Sequence, residues 1–260
     1  MNEGPIQKCE SIDEKVDRIR ATLGIVYTEE EIRMLENWER KLPQNSIESP
    51  IYVASVKDVL DFLPPVPNMN NEDVEIFFGK IDGFSDRELI AIFEGFSKKS
   101  PTFEITLEIF NKDSISIHIG NKETCHGITE IEYGHYHPTD ILKNILIKEN
   151  LPEVFLEGLM PSRGDLVYWE RKFMSGQHTM RIFSKIGYVE VIAPQDFAIF
   201  DTSRVDEFAK KYFDLFLGQN TLGINTHEDL VLYFKENFLL DVIFHSYKTY
   251  QDVGKKDVFE

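Results

Sequence analysis

Two histidines and one carboxylate give this chain its clearest chemical signal. His135 and His137 lie two residues apart in 132–138, a stretch whose apolar and aromatic residues favour a strand. Side chains at i and i+2 of a strand point the same way, so both imidazoles can reach one metal ion. Asp165 follows Ser162 at a predicted helix start. Two imidazoles and a carboxylate are a common ligand set for catalytic zinc, which keeps its fourth position for water.

The charge of the chain limits its partners. Its 260 residues carry 28 basic and 45 acidic side chains, a net charge of −17. Such a chain repels a phosphate backbone and an anionic membrane surface, so we expect neither nucleic acid nor membrane as a partner. A protein with a basic patch would be steered toward it.

The number of cysteines and the N-terminal residues indicate the cellular compartment in which we expect the protein. Cys9 and Cys125 are the only cysteines, which is no disulfide framework. The first residues lack the basic and apolar regions of a signal peptide, and no run of about eighteen apolar residues occurs. We therefore expect a soluble cytoplasmic protein, with secretion that uses no cleaved signal left open.

Prolines and other residues that end helices divide the chain into three parts. Residues 1–66 predict a helical N-terminal extension, with one helix over 11–22 and another from Thr28, whose capping box with Glu31 starts a run that Pro43 ends. The proline-rich stretch 64–68 marks the boundary. We expect a core over 67–200 and a helical C-terminal segment over 201–260.

The core predicts an α/β fold with a mixed β-sheet flanked by helices, because helical and strand patterns alternate. The predicted helices are 71–81, 165–173, 203–217 and 227–246. The predicted strands are 89–93, 103–109, 115–119, 128–137, 178–184 and 187–193, of which 103–109 and 115–119 form a hairpin.

The chemical residues resemble the motif of the JAMM (MPN+, JAB-domain) zinc metalloproteases. That family has a Glu, then His-x-His-Pro, then Ser-x-x-Asp, and this chain has His135 to Pro138 and Ser162 to Asp165. The Glu should open a buried strand that follows a helix. Glu88, 47 residues before His135 and followed by an apolar run and a glycine, fits that pattern. The resemblance covers residues 70–195.

The resemblance implies a JAB/MPN-like (cytidine-deaminase-like) fold and a role for each residue. His135, His137 and Asp165 would bind Zn²⁺, Glu88 would be the general base, and Ser162 would stabilise the oxyanion. The implied reaction is hydrolysis of a peptide or isopeptide bond, with a protein, a peptide or a ubiquitin-like tail as substrate.

Two features leave alternatives open. The 24 residues 138–161 separate His137 from Ser162 by more than the family's usual short gap, so they are either an inserted specificity element or a sign that the second motif is accidental. The fold also serves as a catalytically inactive scaffold or binding module when ligands are lost. A different metal hydrolase with the same ligands is the third reading.

Single residues have alternative readings too. Asp165 and Ser162 fit a helix cap, and Glu88 fits a charged residue beside a strand. Glu104 and Glu108 share one face of a predicted strand and are the next candidates for the base. Cys125 and His126 are a weaker pair, since adjacent residues in a turn rarely orient as nucleophile and base.

Overall fold

A computed structural model gives the fold of the chain. It describes residues 30, 33–34, 37, 46–63, 74–99, 104–119, 131–138, 158–174, 176–194, 202–216 and 219–247. Five helices are described over their whole length: α1 (Val56–Phe62), α2 (Asp86–Lys99), α3 (Arg163–Met174), α4 (Thr202–Phe216) and α5 (His227–Phe238). Eight strands accompany them: β1 (Ile51–Tyr52), β2 (Val74–Gly79), β3 (Ile105–Asn111), β4 (Ser114–Ile119), β5 (Ile131–Tyr136), β6 (Thr179–Phe183), β7 (Gly187–Ile192) and β8 (Asp241–Ser246).

All eight strands form one mixed sheet in the order β1-β2-β4-β3-β5-β6-β7-β8. Neighbours are antiparallel except for two parallel pairs, β1 with β2 and β5 with β6. The connection from β5 to β6 contains α3, as expected for a parallel crossover. β5 lies inside the sheet, between β3 and β6. The α/β class with a mixed sheet is therefore confirmed.

Each face of the sheet has its own hydrophobic core. On one face, α1 and α2 cover β2 to β5, with Ile92, Phe93 and Phe96 fully buried. On the other face, α3, α4 and α5 cover β6 to β8, with Trp169 and Phe208 fully buried. Successive residues of β6 belong to opposite cores, because side chains of a strand alternate between faces. Helix α3 therefore lies on the same face as the side chains of His135 and Ile182, which are paired across β5 and β6.

Most of the predicted elements after residue 103 are confirmed. The hairpin forms as β3 and β4, and 178–184 and 187–193 form the antiparallel pair β6 and β7. The histidine strand, the helix at Asp165 and the helix over 203–217 also form, as β5, α3 and α4. In the predicted helix from Thr28, the described residues Glu30, Arg33, Met34 and Asn37 are helical.

The predicted helix over 71–81 is wrong, because 74–79 form the strand β2. Val74, Ile76 and Phe78 face the core under α2, while Glu75 and Phe77 face the opposite way. This alternation has period two, and the β-branched and aromatic residues fit a pleated surface. Pairing with β4 along the whole strand then fixes the extended conformation.

The predicted strand over 89–93 is wrong as well, because it lies inside α2. Its apolar run is short enough for either state. Ser85 and Glu88 stabilise the start of a helix instead. The Glu88 N–H donates to Ser85 Oγ over 3.3 Å, and the Ser85 N–H donates to Glu88 Oε2 over 3.0 Å. These reciprocal bonds are a capping box.

The predicted helix over 227–246 is wrong in its second half. Helix α5 ends at Phe238, Leu239 takes a left-handed conformation with φ of 57°, and β8 follows. Val242 pairs with Val191 of β7, so a partner distant in sequence overrides the helical pattern. The sheet thus includes a strand from the segment that was predicted to be entirely helical.

Several expectations lie outside the described residues. These are the helix over 11–22, the boundary at 64–68, residues 139–157 of the long gap, and the cysteines. Within the described parts of the chain, no helix combines the length and apolarity that crossing a membrane requires.

Candidate metal centre

The end of β5 and the start of α3 bring three donor side chains together. His135 lies near the C-terminal end of β5, and His137 directly follows the strand, before Pro138. Asp165 lies in the first turn of α3, where a carboxylate interacts favourably with the helix dipole. The Ser162 N–H donates to Asp165 Oδ2 over 2.6 Å, and the Asp165 N–H donates to Ser162 Oγ over 3.2 Å. This capping box holds the carboxylate toward the strand.

The three side chains offer donor atoms that all lie within 4.8 Å of one another. The two Nε2 atoms are 3.1 Å apart. Asp165 Oδ1 is 3.3 Å from His135 Nε2, and Asp165 Oδ2 is 3.3 Å from His137 Nε2. The residues predicted as metal ligands therefore converge, and the 24-residue gap does not prevent it.

The other nitrogen of each imidazole has an acceptor. His137 Nδ1 lies 3.0 Å from the carbonyl oxygen of Gly158, and His135 Nδ1 lies 2.8 Å from Glu132 Oε1. A carbonyl and an ionised carboxylate can only accept, so both Nδ1 atoms donate and the Nε2 atoms of the neutral rings present lone pairs. Two lone pairs and a carboxylate then face one another, an arrangement that either a proton or a metal ion between them would stabilise. Fixing the tautomer through Nδ1 is the usual outer arrangement of metal-binding histidines.

The pKa shifts of His135 and Asp165 agree with this arrangement. Burial lowers the pKa of His135, but Asp165 and Glu132 outweigh it and raise the pKa well above its usual value. Burial raises the pKa of Asp165, but His135 and His137 outweigh it and hold that pKa well below its usual value. The cluster thus binds positive charge strongly, as a proton or as a metal ion.

Glu132 reaches His135 through a β-bulge. Leu107 of β3 pairs with Gly134 and Glu108 pairs with Glu132, so Tyr133 is the extra residue. Without the bulge, residues three apart in a strand would face opposite ways. A Cβ on Gly134 would lie 2.6 Å from Phe183 Cε2 and 2.8 Å from the Arg181 carbonyl oxygen, so only glycine fits. Sequence reasoning missed Glu132, although glycine within a strand is a signal for a bulge.

Glu88 is not brought to the three donors by any contact in the described parts. Its carboxylate caps α2 through Ser85 and forms an ion pair with Lys80 over 2.8 Å. The hydrogen bond from Lys80, reinforced by those from Ser85, lowers the pKa of Glu88 to about 2. A general base works best with a pKa near the working pH, so the environment of Glu88 suits a cap better than a base.

The strand register brings Glu104 toward the donors. It is half-buried and immediately precedes β3, which follows α2. Ile105 pairs with Tyr136 and Thr106 with His135, so continuing this register by one residue brings Glu104 opposite His137. Burial raises the pKa of Tyr212 on α4, and the charges of Asp165 and Glu104 raise it further. Both carboxylates are thus near the same phenol.

Glu108, the other alternative base, is fully buried on the same face of β3. Its oxygens lie 3.4 Å from His118 Nε2 and 3.6 Å from Lys172 Nζ. Full burial and the contacts with these two side chains suit Glu108 less well to a reaction with water than the half-buried Glu104.

Comparisons with known proteins add no relative to these observations: the chain matches no protein-family model, no curated protein and no solved structure significantly.

Proposed function

We propose that this chain is a zinc-dependent hydrolase of the JAMM type that cleaves a peptide or isopeptide bond. One observation carries the proposal: the lone pairs of His135 and His137 and the carboxylate of Asp165 converge, with each Nδ1 held by an acceptor. Two imidazoles and one carboxylate leave the fourth position of a tetrahedral zinc ion open for water. This is the donor set of a catalytic site, because structural zinc sites use all four positions for protein ligands.

The order of elements supports a JAB/MPN-like fold. The family pattern consists of a helix, a buried strand that begins with Glu, a strand that ends in His-x-His-Pro, and a helix that begins with Ser-x-x-Asp. Helix α2, Glu104 with β3, β5 and α3 follow one another in this order. We therefore propose Glu104 instead of Glu88 as the general base, since Glu88 lies inside the first turn of α2.

Each side chain has a task in the proposed reaction. A bound zinc ion would supply a water of lowered pKa and polarise the scissile carbonyl. Glu104 takes a proton from the attacking water and delivers it to the leaving amine. Ser162 Oγ accepts the Asp165 N–H, which leaves the hydroxyl proton free to donate to the developing oxyanion.

The substrate would be an extended peptide or a ubiquitin-like tail. It cannot extend the sheet beside the histidines, because β5 is paired with β3 and β6. It would instead cross the end of β5, where His137 and Asp165 meet. The net charge of −17 favours substrates with basic residues around the cleaved bond.

A substrate screen tests this function. The zinc-loaded protein is assayed against di-ubiquitin, ubiquitin-like tails and short basic peptides, beside Glu104→Gln and Glu88→Gln. We expect Glu104→Gln to bind zinc normally and lose about 10²- to 10⁴-fold in rate, while Glu88→Gln keeps its rate. Full activity in Glu104→Gln would contradict the assignment of the base. A zinc-loaded wild-type protein with no amide hydrolysis would contradict the peptidase proposal.

A further inference from the structure

The sheet face that carries His135 is polar across four strands. Two rows of paired residues cross β2, β4, β3 and β5. The first row consists of Glu75, His118, Thr106 and His135, and the second of Phe77, Ser116, Glu108 and Glu132. All except the two β2 residues are buried. The metal donors therefore adjoin a set of buried polar groups whose charges act on one another strongly.

Glu108 and Glu132 are a pair of buried acidic side chains. They lie directly opposite each other on β3 and β5, an arrangement that destabilises a sheet unless a cation offsets it. Glu132 is held by His135. Neither oxygen of Glu108 accepts a hydrogen bond from the described residues. The ammonium of Lys172 lies 3.6 Å from Oε1 and stabilises the carboxylate, and His118 Nε2 lies 3.4 Å from Oε2.

Lys172 belongs to the helix that carries the third metal donor. It follows Asp165 by seven residues, which is about two turns, so both side chains leave α3 on one side. The Lys172 side chain is only 13% exposed and lies over the Tyr168 ring, 5.3 Å from its centroid. Helix α3 thus contacts the polar face twice, through Asp165 at His135 and through Lys172 at Glu108.

We propose that Lys172 is a positioning residue of the metal site, acting through Glu108 and Glu132. This inference rests on the proposed metal site. The ammonium offsets the repulsion between the two carboxylates, so Glu132 stays against His135 Nδ1. The same contact ties α3 to β3 and holds Asp165 beside the histidines.

Removal of the ammonium has two consequences. Glu108 loses a counter-charge and repels Glu132, which loosens the bond that orients His135. Helix α3 also loses its second contact with the polar face. Groups that orient metal ligands change metal affinity by about 10- to 100-fold, so an effect transmitted through one further residue should be near the lower end.

Cobalt binding tests the inference in the whole protein, because the visible spectrum of Co²⁺ reports its coordination. The variants are Lys172→Met, Lys172→Met with Glu108→Gln, and Lys98→Met. Lys98 is the matched control, since it pairs with Glu94 on α2, on the opposite face of the sheet. Urea unfolding of each variant reports whether it is folded.

We expect Lys172→Met to weaken cobalt binding about tenfold and to shift the spectrum, while Lys98→Met changes neither. The double variant should recover most of the affinity, because the uncompensated carboxylate is gone with the ammonium. Unchanged cobalt affinity in Lys172→Met would overturn the inference. So would an equal loss in the single and double variants, because it would mean that the charge contact is not the route.

A second measurement separates this inference from the metal site itself. Nitrogen-detected NMR of the imidazoles in the metal-free protein reads the bond from His135 Nδ1 to Glu132. Lys172→Met should move the His135 Nδ1 resonance, and the double variant should restore it. A wild-type protein without cobalt affinity would contradict the proposed function, while an unmoved His135 resonance would contradict the role of Lys172.

Discussion

His135 Nδ1 lies 2.8 Å from Oε1 of Glu132, although the two residues are three apart in one strand. The bulge at Tyr133 puts both side chains on one face, and β-bulges often re-aim a side chain beside an active site. The bond fixes which nitrogen of His135 faces Asp165. It therefore links a local irregularity of β5 to the chemistry of the three donors.

Removing the carboxylate of Glu132 should weaken metal binding. We expect Glu132→Ala to reduce zinc affinity about 10- to 100-fold, and Glu132→Gln to reduce it less, because the amide oxygen still accepts from Nδ1. Competition with a chromophoric chelator measures this. Glu207→Gln on the exposed side of α4 is the control. Wild-type affinity in Glu132→Ala would mean that the hydrogen bond does not orient the ligand.

The glycine of the bulge should not tolerate a methyl group. A Cβ at Gly134 meets the Phe183 ring and the Arg181 backbone at less than 3.0 Å, so Gly134→Ala should cost about 1–3 kcal/mol of unfolding free energy. Gly164→Ala is the matched control, because its Cβ meets only Ser162 Oγ, at 3.4 Å. That change in α3 should be neutral or stabilising by up to about 1 kcal/mol. Equal unfolding curves for both variants would contradict the tight contact at Gly134.

Glu88 should affect stability in acid. Its folded pKa of about 2 lies below the unfolded value of about 4.3, so its contribution is present above that value and is lost as pH falls toward 2. At pH 7 we expect Glu88→Gln to cost about 1–2 kcal/mol, since a helix cap contributes about 1 kcal/mol and a partly exposed ion pair at most about as much. Urea unfolding at several pH values measures the difference, which should shrink between about pH 4 and 2. A difference that stays constant with pH would contradict this account.

Elements and site residues with a local sequence signal can be predicted from the sequence alone. The alternation in 105–109 and 115–119 predicts the hairpin, and the spacing of His135, His137 and Asp165 predicts the three donors. The helix α2 was also within reach, because Ser85 and Glu88 have the spacing of a capping box. The continuous apolar run of 89–93 fits a buried strand as well as a buried helix, so that run alone predicts the wrong element.

Pairing between distant residues explains the remaining errors. Strand β8 forms because Val242 meets Val191, and no pattern within 227–246 contains that information. The contact of Glu132 with His135 depends on the bulge of β5, and the position of Glu104 toward His137 depends on the register of β3 with β5, so both become apparent only once the strands are paired. The contact of Lys172 with Glu108 likewise joins residues 64 apart in the sequence.

The zinc content of the purified protein tests the central claim most directly. The protein is prepared without chelators or a histidine tag, and zinc is measured by mass spectrometry beside His137→Ala, Asp165→Ala and the control Asp206→Ala, an exposed partner of Arg163. The account predicts about one zinc per chain in wild type and control, and loss in the other two variants. No zinc in wild type after reconstitution, or retention in Asp165→Ala, would contradict it.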